Sequence, residues 1–187
     1  PFPWPNGRLC AATICFGVEG EINPYLVDPQ NAHKRMSLMS ESVYGPKVGI
    51  PRILDLLDLY EIKASFFIPG MVAELHPEMC RELVERGHDL GPVGFMHERL
   101  DRLSDTLEEK ILVKTIATLE AATGRRPAIF RSPSWEMKPS TPALIYKHGY
   151  RVDSSLMGSD VPYWLEAPEG ERLLELPVTW TLDDFLY

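Results

Sequence analysis

The chain has 187 residues, 44% hydrophobic and 25% charged, enough for one domain with a sizeable core. Its formal net charge of −8 argues against a nucleic-acid or anionic-membrane partner, either of which needs a basic face. Three cysteines, Cys10, Cys15 and Cys80, leave an odd count without a Cys-x-x-Cys pair. That pattern gives no disulfide framework or zinc ribbon, and it reads as buried reduced thiols in a cytoplasmic protein.

Leu9 to Phe16 is a short apolar run bounded by Asn6-Gly7 and Gly17, and it is expected to be a buried strand. A polar connection to about Lys47 follows, too long for an ordinary turn. Val48 to Tyr60 has the spacing of a helix, with Ile53, Leu56, Leu57 and Tyr60 on one face. Lys63 to Ile68 is a second strand, stopped by Pro69-Gly70. Pro77 to Arg86 is a helix that opens on proline and closes on Gly87. His88 to Gly91 forms a third strand. Thr106 with Glu109 makes a capping box for a helix running to Ala122 and closed by Gly124. Ala128 to Arg131 is the fourth strand, Ser140 caps a helix ending at Gly149, Tyr150 to Asp153 is the fifth strand, and Leu173 to Leu176 the sixth. Strand and helix alternate throughout, so the expected fold is α/β with a mostly parallel sheet and a single domain over residues 1–187. A closed barrel wants more units, so the domain is expected to be incomplete at its C-terminal end.

In such barrels chemistry gathers where strands end. The residues there include Glu19 and Glu21, then Phe95 and His97, then Arg131, Pro133 and Trp135, and then Asp153. Trp180, Asp183 and Asp184 stand near the end of the chain. Glu19 and Glu21 are two apart at a strand end and are expected to point the same way. Each of these residues also has a structural reading: the glutamates as solvated loop carboxylates, His97 as a loop cap, Arg131 in an ion pair, Trp135 in the core, and Asp153 as a cap of its own loop. His33, His76, His88 and His148 are assigned to loops and element ends.

The segments Tyr44 to Gly70, His76 to Gly91, Phe130 to Trp135 and Asp153 to Asp160 together resemble the polysaccharide deacetylase (NodB-homology) superfamily, an irregular (β/α) barrel. Its first motif, Phe-Asp-x-Asp-Gly, carries a general base and a metal ligand. Here it reads Phe16-Gly17-Val18-Glu19-Gly20, so the base position holds Gly17 and the ligand position Glu19. Its second motif, His-x-x-x-His, supplies two ligands and reads Val93-Gly94-Phe95-Met96-His97. The Arg-x-Pro motif survives as Arg131-Ser132-Pro133, and in the family this arginine orients the catalytic carboxylate. The late Leu-x-His motif, which supplies a general acid, is expected beyond Tyr187.

A catalytic zinc needs three protein ligands and an open position. With only Glu19 and His97 in place, no metal and no other cofactor is expected. The resemblance leans towards the branch of allantoinase-like enzymes and cyclic imidases, which open cyclic amides or imides without a metal. It implies a hydrolase of the C–N bond of a small cyclic imide or amide. In that reading Glu19 or Glu21 activates water, His97 moves protons and Arg131 orients a carboxylate or binds substrate. Phe95, Pro133, Trp135 and Asp153 are the expected substrate contacts, and a homo-oligomer is the expected assembly. Two alternatives stay open: a metal-dependent deacetylase of N-acetyl sugars that uses Glu19, His97 and a further ligand, and a non-catalytic binding protein.

Overall fold

The structure is a computed structural model and describes residues 3–184. Among these residues seven strands, β1 (Cys15–Gly17), β2 (Ser65–Ile68), β3 (Asp89–Pro92), β4 (Ile129–Phe130), β5 (Val152–Asp153), β6 (Tyr163–Glu166) and β7 (Arg172–Glu175), form two sheets. The first is ordered β1-β2-β3 and is wholly parallel. The second is ordered β4-β5-β7-β6, parallel but for the antiparallel β6–β7 pair. The Arg131 N–H donates to the Pro92 carbonyl at 3.4 Å, so the ladder continues from β3 towards β4 and the two sheets curve as one wall.

Seven α-helices cover this wall among the described residues: α1 (Ile22–Val27), α2 (Met36–Tyr44), α3 (Ile50–Leu59), α4 (Gly70–Leu75), α5 (Pro77–Glu85), α6 (Asp105–Thr123) and α7 (Thr141–Lys147). A π turn over Gly45–Gly49 joins α2 to α3. Strand β2 explains the layering. Its run Ser-Phe-Phe-Ile puts alternate side chains on opposite faces. Phe66 and Ile68 pack with Leu54 and Leu57 of α3, Val72 of α4 and Leu83 of α5, while Phe67 turns to the concave side. A second cluster joins Leu112 and Ile116 of α6 to Phe130, Ile145, Tyr150 and Leu173. Helix α6 therefore spans both halves of the core, since its Leu119 and Ala122 belong to the first cluster.

The structure shifts several expectations. Strand β1 begins only at Cys15; Leu9 is 95% exposed and Cys10 is exposed, because no second strand lies along that stretch among the described residues. Of the thiols only Cys80 is buried. The inner face of α3 is Ile50, Leu54 and Leu57, with Leu56 and Tyr60 in solvent. The N-cap of α6 is Ser104, whose hydroxyl accepts from the Leu107 N–H at 3.3 Å. Glu109 instead meets Lys147 and His148. Ser140 makes no side-chain cap on α7 and donates to Asp105. Helices α1, α2 and α4 and strand β6 fall where no element was expected. No helix among the described residues is long and apolar enough to cross a membrane.

Close approach of β3 to β4 depends on Gly91. A Cβ there would lie 2.8 Å from the Ile129 carbonyl and 2.8 Å from the Phe67 ring. Gly91→Ala is expected to cost about 2–3 kcal/mol by overpacking. Gly124→Ala, at φ +69 with open space around it, should cost only the left-handed penalty of about 1–2 kcal/mol. Urea unfolding of both variants checks the order: the Gly91→Ala midpoint should fall further.

Candidate active site

A cavity of about 330 Å³ opens at the C-terminal ends of β1, β2, β3 and β4. Gly17 and Glu19 line it after β1, Val93 and His97 after β3, and Arg131, Ser132, Ser134 and Trp135 after β4. Phe67 forms part of its wall, Asn23 and Leu26 come from α1, and Trp180 and Asp183 from the last described turn.

Each functional side chain has a local cause for its place. The loop after β3 turns at Gly94 (φ +71) and is tied to α4 by the Gly70 N–H to Gly94 O and Met71 N–H to Phe95 O bonds. Glu98 accepts from the Phe95 N–H at 2.8 Å and closes the turn. These bonds swing His97 back over the cavity, in a left-handed conformation (φ 58), with Nε2 3.4 Å from Glu19 Oε1. Ser134 and Trp135 are also left-handed, both at φ 54. Three non-glycine residues in this sparsely populated region therefore line one cavity, and such strain concentrates at functional sites.

Arg131 is the floor. It is only 9% exposed, and its guanidinium lies 3.8 Å from the centre of the Phe67 ring. Its Nε donates to the Ser154 carbonyl and its Nη2 to the Ser154 hydroxyl, both at 2.8 Å. Burial pulls its pKa below the usual arginine value, with partial relief from Cys15, Asp153 and Asp183. Trp135 packs against Trp180 at 4.2 Å between ring centres, making an aromatic wall beside the guanidinium.

Glu19, His97, Arg131 and Trp135 thus meet in one cavity. The other expected site residues do not reach it. Both carboxyl oxygens of Glu21 lie on His76 Nε2, at 2.8 and 3.0 Å, where the chain turns into α1. The ring of Phe95 packs on Gly70 and under the Lys114 ammonium, away from the cavity. Pro133 is buried against Gly94. Asp153 is fully buried beneath the floor, hydrogen-bonded to Ser155, and cannot touch a bound molecule directly. Asn23 and Leu26 were not anticipated, because a six-residue helix containing Asn23 and Pro24 leaves no periodic signal.

Comparisons with known proteins agree with this geometry. The family model described as polysaccharide deacetylase matches residues 32–152. A peptidoglycan deacetylase of Helicobacter pylori is 31% identical over 169 residues, covering 78% of this chain and 58% of that protein. Among solved structures, a putative polysaccharide deacetylase from Mycobacterium smegmatis superposes with a TM-score of 0.94 at 42% identity, covering 99% of this chain and 64% of that one. The Puue allantoinase superposes with a TM-score of 0.78 at 25% identity, covering 95% of this chain and 64% of that one. The chain therefore spans a little over half to two thirds of the length of these relatives.

The residues present do not fit the three-ligand metal site that the resemblance implies. Where it places a first histidine stands Val93, 5% exposed on the cavity wall, and no group of three or more His, Cys, Asp or Glu could hold a metal ion among the described residues. Yet the scaffold has room, for a Cβ at Gly17 would meet nothing within 4 Å. The double variant Gly17→Asp, Val93→His is expected to bind zinc at least about tenfold more tightly than the parent, since a whole ligand outweighs the ~10–100-fold of outer-shell changes. Calorimetric titration with zinc checks it; equal affinities would show that position 93 does not join Glu19 and His97 in a ligand set.

Proposed function

The chain belongs to the polysaccharide deacetylase family, and we propose that the protein is a hydrolase of amide-type C–N bonds working in the Glu19–His97–Arg131 cavity. The observation that carries this reading is the 3.4 Å pair of Glu19 and His97 above a buried guanidinium, in a cavity large enough for a compact acyl-amide group. Glu19, with 43% of its side chain exposed, takes a proton from a bound water as the oxygen adds to the carbonyl carbon. The proton passes to His97 and on to the nitrogen as the C–N bond breaks. Arg131 donates to the carbonyl oxygen, where negative charge builds up. The Trp135–Trp180 wall packs against the rest of the substrate.

For the substrate, the relatives support deacetylation of peptidoglycan, as the Helicobacter pylori protein's name states, at an N-acetylated sugar, as the name of a Bacillus cereus peptidoglycan-N-acetylglucosamine deacetylase states. A second reading, ring opening of a small cyclic imide, is favoured by Val93 and Gly17 at the positions where the resemblance places a metal ligand and the base. An imide carbonyl is more electrophilic than an acetamide, and its leaving nitrogen is stabilised by the second carbonyl, so Lewis-acid assistance matters less. The likeness to an allantoinase fold is compatible with a cyclic amide.

Full-length protein, with and without chelator, should be offered an N-acetylglucosamine oligomer and succinimide. Faster release of acetate supports deacetylation, and faster ring opening supports the imide reading. In either case Glu19→Gln and His97→Ala should each lower kcat/KM by about 10²–10⁴. Inactivity on both substrates would favour a binding protein, and full activity in both variants would remove Glu19 and His97 as the catalytic pair.

A further inference from the structure

Beneath the cavity floor lie two acids that the proposed reaction does not use. Asp153 of β5 and Glu175 of β7 are directly paired in the parallel ladder, and both are wholly inaccessible to solvent. Glu175 Oε1 accepts the N–H groups of Ser155 and Leu156 at 3.0 and 2.9 Å. Asp153 Oδ1 accepts the Ser155 hydroxyl at 2.7 Å. The remaining oxygens, Asp153 Oδ2 and Glu175 Oε2, have no hydrogen-bond partner among the described residues, and as direct cross-strand neighbours the two side chains stand side by side on one face of the sheet. Two buried carboxylates side by side repel, and two neutral acids would remove the anion beneath the guanidinium, leaving it only charge on the cavity side, such as Asp183. A single proton between the two acids satisfies both free oxygens and leaves one negative charge.

We propose that Asp153 and Glu175 share one proton and act as a single buried anion that positions Arg131 and the Ser132 backbone at the cavity floor. Two connections run upward from the pair. The Arg131 guanidinium bonds to Ser154, the residue that follows Asp153, and the charge of Asp153 acts to raise the Arg131 pKa. A hydrogen-bonded chain runs from the Ser132 N–H to the Ser155 hydroxyl at 2.8 Å and on to Asp153. Burial pushes both carboxyl groups up in pKa, in keeping with a proton retained by the pair as a unit. Neither acid lines the cavity, so both are positioning residues. The inference rests on where Arg131 sits and holds whichever substrate is cleaved.

The test uses full-length protein at neutral pH and no substrate. Infrared spectroscopy should show the band of a buried protonated carboxyl in the parent. That band should vanish in both Asp153→Asn and Glu175→Gln, because each amide supplies the hydrogen that the proton supplied and leaves its partner ionised. NMR should show a slowly exchanging Arg131 Nε–H, identified by its loss in Arg131→Lys. This signal should persist in the single variants and disappear in the Asp153→Asn, Glu175→Gln double variant, which has lost the anion. A parent without the carboxyl band, a band surviving in both single variants, or a double variant that keeps the protected Nε–H would each overturn the proposal. Should the double variant fail to fold, the infrared comparison of parent and single variants still decides whether a proton is shared.

Discussion

Arg131 stands at the seam of the molecule, its backbone on one side of the wall and its side chain on the other. The N–H bridges β3 and β4, and the guanidinium spreads between the Phe67 ring of β2 and the Ser154 loop after β5. A buried guanidinium tolerates few arrangements: its donors must be satisfied, its faces packed and its charge answered. Here Ser154 satisfies Nε and Nη2, Phe67 covers one face, and negative charge lies below. Three strands are thereby held in one relation to each other, and the cavity is the space left above. Removing Arg131 would take away a charge and also the spacer that fixes β2, β4 and β5 around the site.

The rim is built differently. His97, Ser134 and Trp135 each hold a left-handed backbone, a conformation costing about 1–2 kcal/mol for a residue with a Cβ. Packing elsewhere must offset that cost, and the tie of the Gly94–Phe95 backbone to α4, the Glu98 bond to the Phe95 N–H, and the Ser132–Ser155 bond do so locally. The result is a set of side chains aimed inward from short, fixed turns, whereas the Glu19 side of the cavity is more open. Proton transfer between Glu19 and His97 then needs movement mainly of the glutamate, the more exposed partner.

Strand and helix alternation was enough to read a parallel α/β wall from the sequence, because β2, α3, α5, β3 and α6 are long or strongly patterned. What escaped were the elements whose form depends on tertiary contact. Helix α1 has six residues with Asn23 and Pro24, and β6 declares itself only by pairing with β7. Parity misled at the site. Glu19 and Glu21 would share a face in an extended strand, but β1 ends at Gly17 and Gly20 turns at φ +47, so Glu21 swings onto His76. Phe95 fails for a similar reason, since the left-handed Gly94 turns its ring onto Gly70. His97, Arg131 and Trp135 were legible because each follows directly on a strand or its short turn. The Asp153–Glu175 pair could not be read at all, since nothing in sequence spacing tells which strand will lie beside β5.

Charge balance between the two layers sets what the cavity can do. A guanidinium whose charge is answered in part from below by a single shared-proton anion can offer its upper surface to an oxygen gaining negative charge. Were Arg131 instead paired directly with Glu19, the same cation would bind the base that must take a proton and weaken it for that task. The structure separates the two roles, for Glu19 meets His97 while Arg131 is bonded to Ser154 and attracted to the anion beneath it. That separation lets a base and an electrostatic stabiliser of opposite charge line one cavity of about 330 Å³ without neutralising each other.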